Sequence, residues 1–183
     1  MKKIAFSSLF LALLSTNSFA GNFYLSPSIF GQRVAAPNST FWGVRPHFAF
    51  GYGQLTPDYY LGGEVFSSPT VWATSDSHVS GALSAKITSS YGIDVMPGII
   101  FEPQIIGYAI IGLVNSKFAG PGTTKNGGQL GLGVQTSLSQ NWDVRAEYIF
   151  TAYKSISGLG SPRSNEIGVG LVYQIGRKYY PSD

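Results

Sequence analysis

The sequence predicts an all-β protein, an eight-stranded antiparallel up-and-down transmembrane β-barrel. Three observations lead to this prediction: side chains alternate with period two, charges keep to one face of the strands, and the gaps between strands alternate between long and short. The last third of the chain is the clearest example, since Val144, Ala146 and Tyr148 alternate with Arg145 and Glu147. A period of two indicates β-strands, because successive side chains leave opposite faces of a strand.

Eight stretches repeat this alternation, over residues 22–30, 41–52, 59–67, 85–101, 105–115, 128–138, 144–153 and 166–175. The gaps at 31–40, 68–83, 116–126 and 154–165 are long, and the others are short. Outer-membrane barrels have short periplasmic turns and longer outer loops. Sixteen spanning strands of about ten residues would leave no connections, whereas ten strands would require a hairpin hidden in one long gap. The stretch 105–115 is apolar on both faces, so its register stays open.

The composition agrees with strands that face lipid. Charged residues make up 11% of the chain, less than half of the usual share of about 25%. Two units of the net charge of +3 come from Lys2 and Lys3. The remaining charge therefore gives no reason to expect nucleic-acid binding. With no cysteine in the chain, disulfides are excluded as a source of stability.

The first twenty residues have the features of a secretory signal peptide. Lys2 and Lys3 form a basic start, residues 4–14 are apolar, and Ala20 precedes the expected cleavage. This apolar run is shorter than the roughly 20 residues of a spanning helix. We therefore predict a signal peptide over residues 1–20, a barrel over residues 21–183 and no transmembrane helix in the exported chain.

The charges of the predicted strands all lie on the face that carries the glycines. A basic residue on the lipid face would cost roughly 2–4 kcal/mol at the bilayer midplane, so we place this face inside the barrel. Eight strands leave an interior just wide enough for side chains to fill. We expect a polar network that plugs the barrel, with a gated pore lined by the same groups as the alternative. The predicted network consists of Arg45, His47, Glu64, Lys86, Asp94, Arg145, Glu147 and Glu166.

The long gaps are mainly basic, whereas the short turns carry Asp58, Glu102 and Asp143. A basic outer rim would attract the phosphates of lipopolysaccharide, although solvated loop charges without a partner are an equal alternative. Asp76 is the acidic residue of the long gaps. The predicted outer-loop basic residues are Arg33, Lys117, Lys125, Lys154 and Arg163.

Few residues are candidates for catalysis. The histidines are His47, which the alternation places beside Arg45 inside the barrel, and His78, which lies near Ser80 in a long gap. No acidic partner for His78 is expected at a plausible spacing. The sequence contains no metal-ligand cluster, phosphate-binding loop or nucleophile elbow. We therefore predict no catalytic, cofactor or metal site.

Four segments carry a resemblance to a known family: NWDVRAEY at 141–148, GVGLVYQIG at 168–176, YYLGGEVF at 59–66 and GQLGLGVQ at 128–135. With them the chain resembles the small eight-stranded outer-membrane barrels of Gram-negative bacteria, such as the transmembrane domain of outer-membrane protein A and the opacity-type surface proteins. The resemblance implies that Glu147 is an interior acid. The last strand lacks the family's usual Arg partner for this acid, so either Arg145 or Arg45 serves or the pairing differs. The chain also continues through Arg177–Asp183, where the family commonly ends on an aromatic residue.

The resemblance implies a non-enzymatic protein of the bacterial cell outer membrane, with a structural or adhesin-like surface role. Its implied partners are outer-membrane lipid and lipopolysaccharide, a host-surface ligand bound through the loops, and the barrel-assembly machinery. A small gated pore is the alternative. A lipid A-modifying enzyme is less favoured, because lipid A deacylases on eight-stranded barrels need a His, Ser and acid constellation that faces lipid.

Overall fold

The computed structural model describes residues 20–102 and 104–175. Within these residues the chain forms nine strands: β1 (Ala20–Ala36), β2 (Ser39–Leu55), β3 (Tyr59–Ser68), β4 (Trp72–His78), β5 (Ile87–Glu102), β6 (Ile105–Phe118), β7 (Thr124–Ser137), β8 (Trp142–Tyr153) and β9 (Arg163–Ile175). In the same residues, no helix reaches the length and apolarity needed to cross a membrane.

Eight of these strands close into an antiparallel barrel, which confirms the predicted fold class. Their order is β1-β9-β8-β7-β6-β5-β3-β2, and β1 also pairs with β2 to complete the ring. Closure leaves no unpaired sheet edge within the ring, and a membrane-spanning sheet requires this because hydrocarbon cannot satisfy free backbone groups.

The remaining strand, β4, continues the path of β3 along the same edge of β2. It pairs with residues 39–44 of β2, whereas β3 pairs with residues 48–55. All seven residues of β4 are exposed, so this strand extends past the closed ring at the outer end. The long predicted gap 68–83 therefore contains a strand, but not the hairpin that a ten-stranded barrel would need.

The predicted gap at 31–40 is wrong, and long and short gaps do not strictly alternate. Strands β1 and β2 run through this gap and are joined by the two-residue turn Pro37–Asn38. The alternation persists there, since Gln32 and Val34 are buried and Arg33 is exposed. The polar composition of residues 31–40 led to the predicted gap, although β1 and β2 both continue through these residues.

The alternation along the strands separates a lipid face from an interior face. On the outward face of β1, Phe23, Leu25 and Ile29 are each about half exposed, whereas Tyr24 and Ser26 between them are buried. The open register of the fifth predicted strand is settled by β6, in which Tyr108, Ile110 and Val114 point inward. The outward residues of β6 include Ile111 and Leu113.

Interior glycines make room for aromatic rings on the neighbouring strand. A Cβ atom on Gly133 would lie 2.4 Å from Cε2 of Tyr108, closer than any real contact. The same relation holds for four directly paired positions: Tyr24 with Gly51, Phe30 with Gly168, Phe66 with Gly92, and Tyr108 with Gly133. Glycine on the interior face therefore lets rings lie across the lumen.

Two sequence predictions concern residues that the structure does not describe. Apart from Ala20, the predicted signal peptide lies outside the described residues, and so does the segment Arg177–Asp183.

Candidate functional site: the lumen and the outer rim

The middle of the lumen contains an ion cluster around Arg145. Its Nη1 donates to Oε2 of Glu64 at 3.0 Å and lies 3.5 Å from Oε1 of Glu147. Tyr24 donates to the same oxygen of Glu64 at 3.0 Å, and Tyr108 donates to Glu147 at 2.8 Å. All five side chains are buried. Each acid is thus held by a tyrosine hydroxyl and by the charge of Arg145, whereas Nε and Nη2 of Arg145 are buried without a hydrogen-bond partner among the described residues.

A second cluster surrounds Arg45, closer to the outer end. Arg45 donates through Nη2 to Glu166 and through Nη1 to Oγ of Ser68 at 2.6 Å. Gln32 donates to the other oxygen of Glu166 at 2.8 Å. His47 lies 3.3 Å from the hydroxyl of Ser68. Its ring also lies between those of two phenylalanines, with centroid distances of 5.1 Å and 4.9 Å.

Two more buried acids are held by amides. Asp94 accepts from Gln129, and Asp143 accepts from Gln135 at 2.8 Å and from Gln174 at 2.9 Å. We call the first two clusters and Asp94 with its amide the central polar layer. Its charged members are Arg45, Glu64, Asp94, Arg145, Glu147 and Glu166.

The structure brings together seven of the eight predicted network residues and excludes Lys86. Lys86 precedes β5, is partly exposed and forms no ion pair with any described residue. The pairing of β5 with β6 shifts between Ile87 and Ser89, and Ile87 is fully buried. Counting alternate positions back from Ser90 therefore fails at this irregularity.

Reasoning from charge alone missed the neutral members of the lumen and one acid. Tyr24, Tyr108 and Gln32 hold carboxylates of the layer, and a count of alternate positions along the strands could have found them. Asp143 was predicted on a short turn, but it belongs to β8 and is buried.

Apolar side chains also pack in the lumen. One cluster, with Tyr60, Met96 and Val172 among its members, shares Tyr24 and Tyr108 with the polar groups and so interleaves with them. At the outer end, side chains from strands and loops form what we call the outer apolar plug. Its members are Val34, Phe41, Ala49, Phe66, Val71, Ala85, Ile87, Val114, Phe118, Tyr153, Ile156 and Leu159.

The turn between β8 and β9 supplies two members of this plug. Ile156 and Leu159 are buried, and a bridge between Ile156 and Gly160 closes the turn. Gly158 and Gly160 have φ values of 78° and 79°, a region that favours glycine. A Cβ on Gly160 would lie 2.9 Å from Cγ of Pro37, so this turn packs closely against the β1–β2 turn.

The predicted outer-loop basic residues all lie at the outer end, but most of them are on strands. Arg33, Lys117 and Arg163 are exposed residues of β1, β6 and β9, and Lys154 is exposed just after β8. Lys125 belongs to β7 and is partly exposed, at a position that alternates with the outward ones. The guanidinium of Arg33 lies 5.4 Å from the ring centroid of Trp42.

The neighbourhood of His78 differs from the sequence expectation, because an acid does lie beside it. Nδ1 of His78 is 3.7 Å from Oδ1 of Asp76, and Ser84 donates to Oδ2 of Asp76 at 2.7 Å. The carboxylate thus separates the hydroxyl from the imidazole. Activation of a serine requires the base beside the hydroxyl, with the acid behind the base. Within residues 20–102 and 104–175, no group of three or more His, Cys, Asp or Glu residues could hold a metal ion.

A closed ring of eight antiparallel strands with an apolar outer wall and a filled polar core defines a small β-barrel of the bacterial outer membrane. The chain belongs to the outer membrane protein β-barrel domain family, whose model matches residues 5–174. No match to a curated protein was found.

Two solved structures illustrate the likeness. Ail, the attachment invasion locus protein of Yersinia pestis, was solved in complex with the heparin analogue sucrose octasulfate; it is 16% identical, with a TM-score of 0.57 over 85% of this chain and 99% of that chain. Neisserial surface protein A is 14% identical, with a TM-score of 0.54 over 85% of this chain and 99% of that chain. At these identities the likeness concerns the fold alone.

Proposed function

We propose that this chain is a non-enzymatic surface barrel with a structural or adhesin-like role, exerted through its extracellular end. The filled lumen is the observation that carries the proposal. The central polar layer with its interleaved aromatic rings and the outer apolar plug together occupy the interior. A filled interior offers no path for a solute, so the geometry favours a plugged barrel over the gated pore.

The form of the outer end supports a role in contact. The Pro37–Asn38 turn meets Gly160, and Leu83 meets Gly158. Three connections are therefore packed against one another and form one surface. Strand β4 extends from this surface with Trp72 57% exposed. Preformed surfaces lose less conformational entropy on binding than flexible loops do.

The proposed partners are lipopolysaccharide around the outer rim and an acidic ligand of the host surface. The sulfated ligand bound to Ail supports the second of these by analogy. The exposed cations of the rim have the charge that either partner requires. The barrel-assembly machinery is a further proposed partner, for insertion into the membrane.

Whole-cell binding tests the contact role. Cells that display the protein are applied to immobilised heparin and to extracellular matrix. The double variant Trp72→Ser/Val79→Ser removes two exposed residues of the outer end and is expected to lower retention by about fivefold or more. The matched control, Tyr59→Ser/Phe101→Ser, removes two equally exposed residues of the inner end. Equal retention of both variants, at equal surface display, would contradict the proposal.

The enzyme alternative has its own test. Expression of a lipid A-modifying enzyme would change the mass of lipid A, and His78→Ala would abolish that change. We expect no change in the mass of lipid A with the parent or with His78→Ala. The reason is that the hydroxyl of Ser84 donates its hydrogen bond to Asp76 and not to His78. A shift that depends on His78 would replace the surface role by catalysis.

A further inference from the structure

We propose that Arg33, Arg163 and Lys154 form a clamp for the phosphate groups of a glycolipid in the outer leaflet, on one side of the barrel only. We call these residues the cation triad. The inference rests on the proposed contact with lipopolysaccharide and deepens it, because it assigns that contact to three residues and one side of the barrel.

The strand register places the triad on one outward surface. Ala35 pairs with Arg163 across β1 and β9, so Arg33 and Arg163 are diagonal neighbours. Ala152 pairs with Arg163 across β8 and β9, and the N–H of Tyr153 donates to the carbonyl of Pro162, so Lys154, just after β8, follows on the other side of Arg163. Diagonal neighbours on one face of a sheet lie about 7–8 Å apart. The three cations therefore form a short row across adjacent strands.

No acidic residue of the described chain forms an ion pair with this row. Among residues 20–102 and 104–175, the ion pairs involve Arg45, Arg145 and His78 and none of the triad. Asp76, the acid of the outer connections, pairs with Phe41, which is buried in the plug. Like charges this close repel one another unless an anion lies between them. The row is therefore a surface that lacks its counter-charge.

The position of the triad along the barrel axis indicates that the bound anion is a lipid headgroup. Ile29 is 58% exposed and Ile167 is 70% exposed on the same strands, farther toward the middle of the barrel. Each of these residues lies four positions from a cation of the triad on the outward face. The cations thus lie just above the lipid-facing surface, at the level of headgroups. An amphiphile bound there would place acyl chains along the isoleucines and its phosphates on the triad.

The other side of the barrel has no such row. At the corresponding part of the rim, β5 presents Ser89 beside Lys117 of β6, and β2 presents Trp42 beside Ser75 of β4. The ring of Trp42 supports the guanidinium of Arg33 from that side, a contact that orients the charge. Lys117 lies farther along the rim on β6, separated from Lys154 by β7.

Lipid A retention tests the clamp. The barrel is extracted from outer membranes in mild detergent, and lipid A per barrel is measured by mass spectrometry. In a second assay, the purified barrel in detergent is titrated with lipid A that carries both phosphates, with dephosphorylated lipid A, and with phosphatidylglycerol. The clamp variant is Arg33→Gln/Arg163→Gln. The control is Lys86→Gln/Lys125→Gln, which removes the same charge at the same end.

Loss of two surface cations should weaken lipid A binding about thirtyfold, whereas the control should stay within about twofold of the parent. Dephosphorylated lipid A should bind the parent as weakly as phosphorylated lipid A binds the clamp variant. Equal losses in clamp and control variants would overturn the clamp in favour of general charge attraction, and so would equal binding of phosphatidylglycerol. The parent protein can fail these lipid A assays and still bind heparin or matrix on whole cells, so failure of the clamp is distinct from failure of the surface role.

Discussion

The central polar layer and the outer apolar plug fill the same lumen by different means. The layer is built from strand residues that form ion pairs, such as Arg145 with Glu64. The plug combines strand residues such as Phe118 with loop residues such as Leu159, and it is apolar. The comparison shows that the direction in which a side chain points, and not its polarity, decides whether it lies inside this barrel. The two zones should also respond differently to mutation. A change in the layer leaves a buried charge without its partner, whereas a change in the plug leaves a cavity.

Removal of the central cation should have the largest effect. Arg145→Met leaves Glu64 and Glu147 buried without their shared guanidinium. Removing one member of a buried ion pair costs about 3–5 kcal/mol, and we expect such a loss in the free energy of unfolding. Urea unfolding in lipid vesicles, followed by tryptophan fluorescence, measures it.

The control for this change is the triple variant Glu64→Gln/Arg145→Met/Glu147→Gln, which removes the two carboxylates together with the cation. It should be more stable than Arg145→Met alone. If the single variant is no less stable than the triple, the layer does not act through its charges.

Truncation of a plug residue should have a smaller effect, because the turn that carries it can relax. Leu159→Ala removes a side chain that is 5% exposed, and we expect a loss of about 2–3 kcal/mol in the free energy of unfolding. The loss should not depend on salt or pH, since the plug contains no ion pair among its members. Leu138→Ala, an exposed leucine at the inner end, is the size-matched control.

The two zones were also unequally predictable from the sequence. Alternation along single strands placed seven of the eight network residues in the lumen, because each position depends only on its own strand. Lys86 was misplaced at the point where the pairing of β5 shifts. The plug could not be predicted, because Val71, Ala85 and Ile156 come from connections whose paths depend on contacts distant in sequence.

A matched pair of tyrosines gives the finest comparison of the two zones. The hydroxyl of Tyr108 donates to Glu147 in the layer at 2.8 Å, and that of Tyr153 lies 3.0 Å from Oγ of Ser116 at the plug. Removal of either hydroxyl by a Tyr→Phe change leaves the buried ring in place. Hydrogen bonds to charged groups contribute about 1.5–3 kcal/mol, and those between neutral groups about 0.5–1.5 kcal/mol.

We therefore expect Tyr108→Phe to lower the free energy of unfolding by roughly 1 kcal/mol more than Tyr153→Phe does. The difference should disappear when both changes are made in the Glu147→Gln background, because the acceptor of Tyr108 is then neutral. Unfolding curves of the four variants in the same vesicles measure this. Equal losses in the parent background would mean that the hydrogen bond from Tyr108 to Glu147 is no stronger than the one between Tyr153 and Ser116. The contrast between a charged layer and a neutral plug would then be wrong for the pair of bonds that tests it most directly.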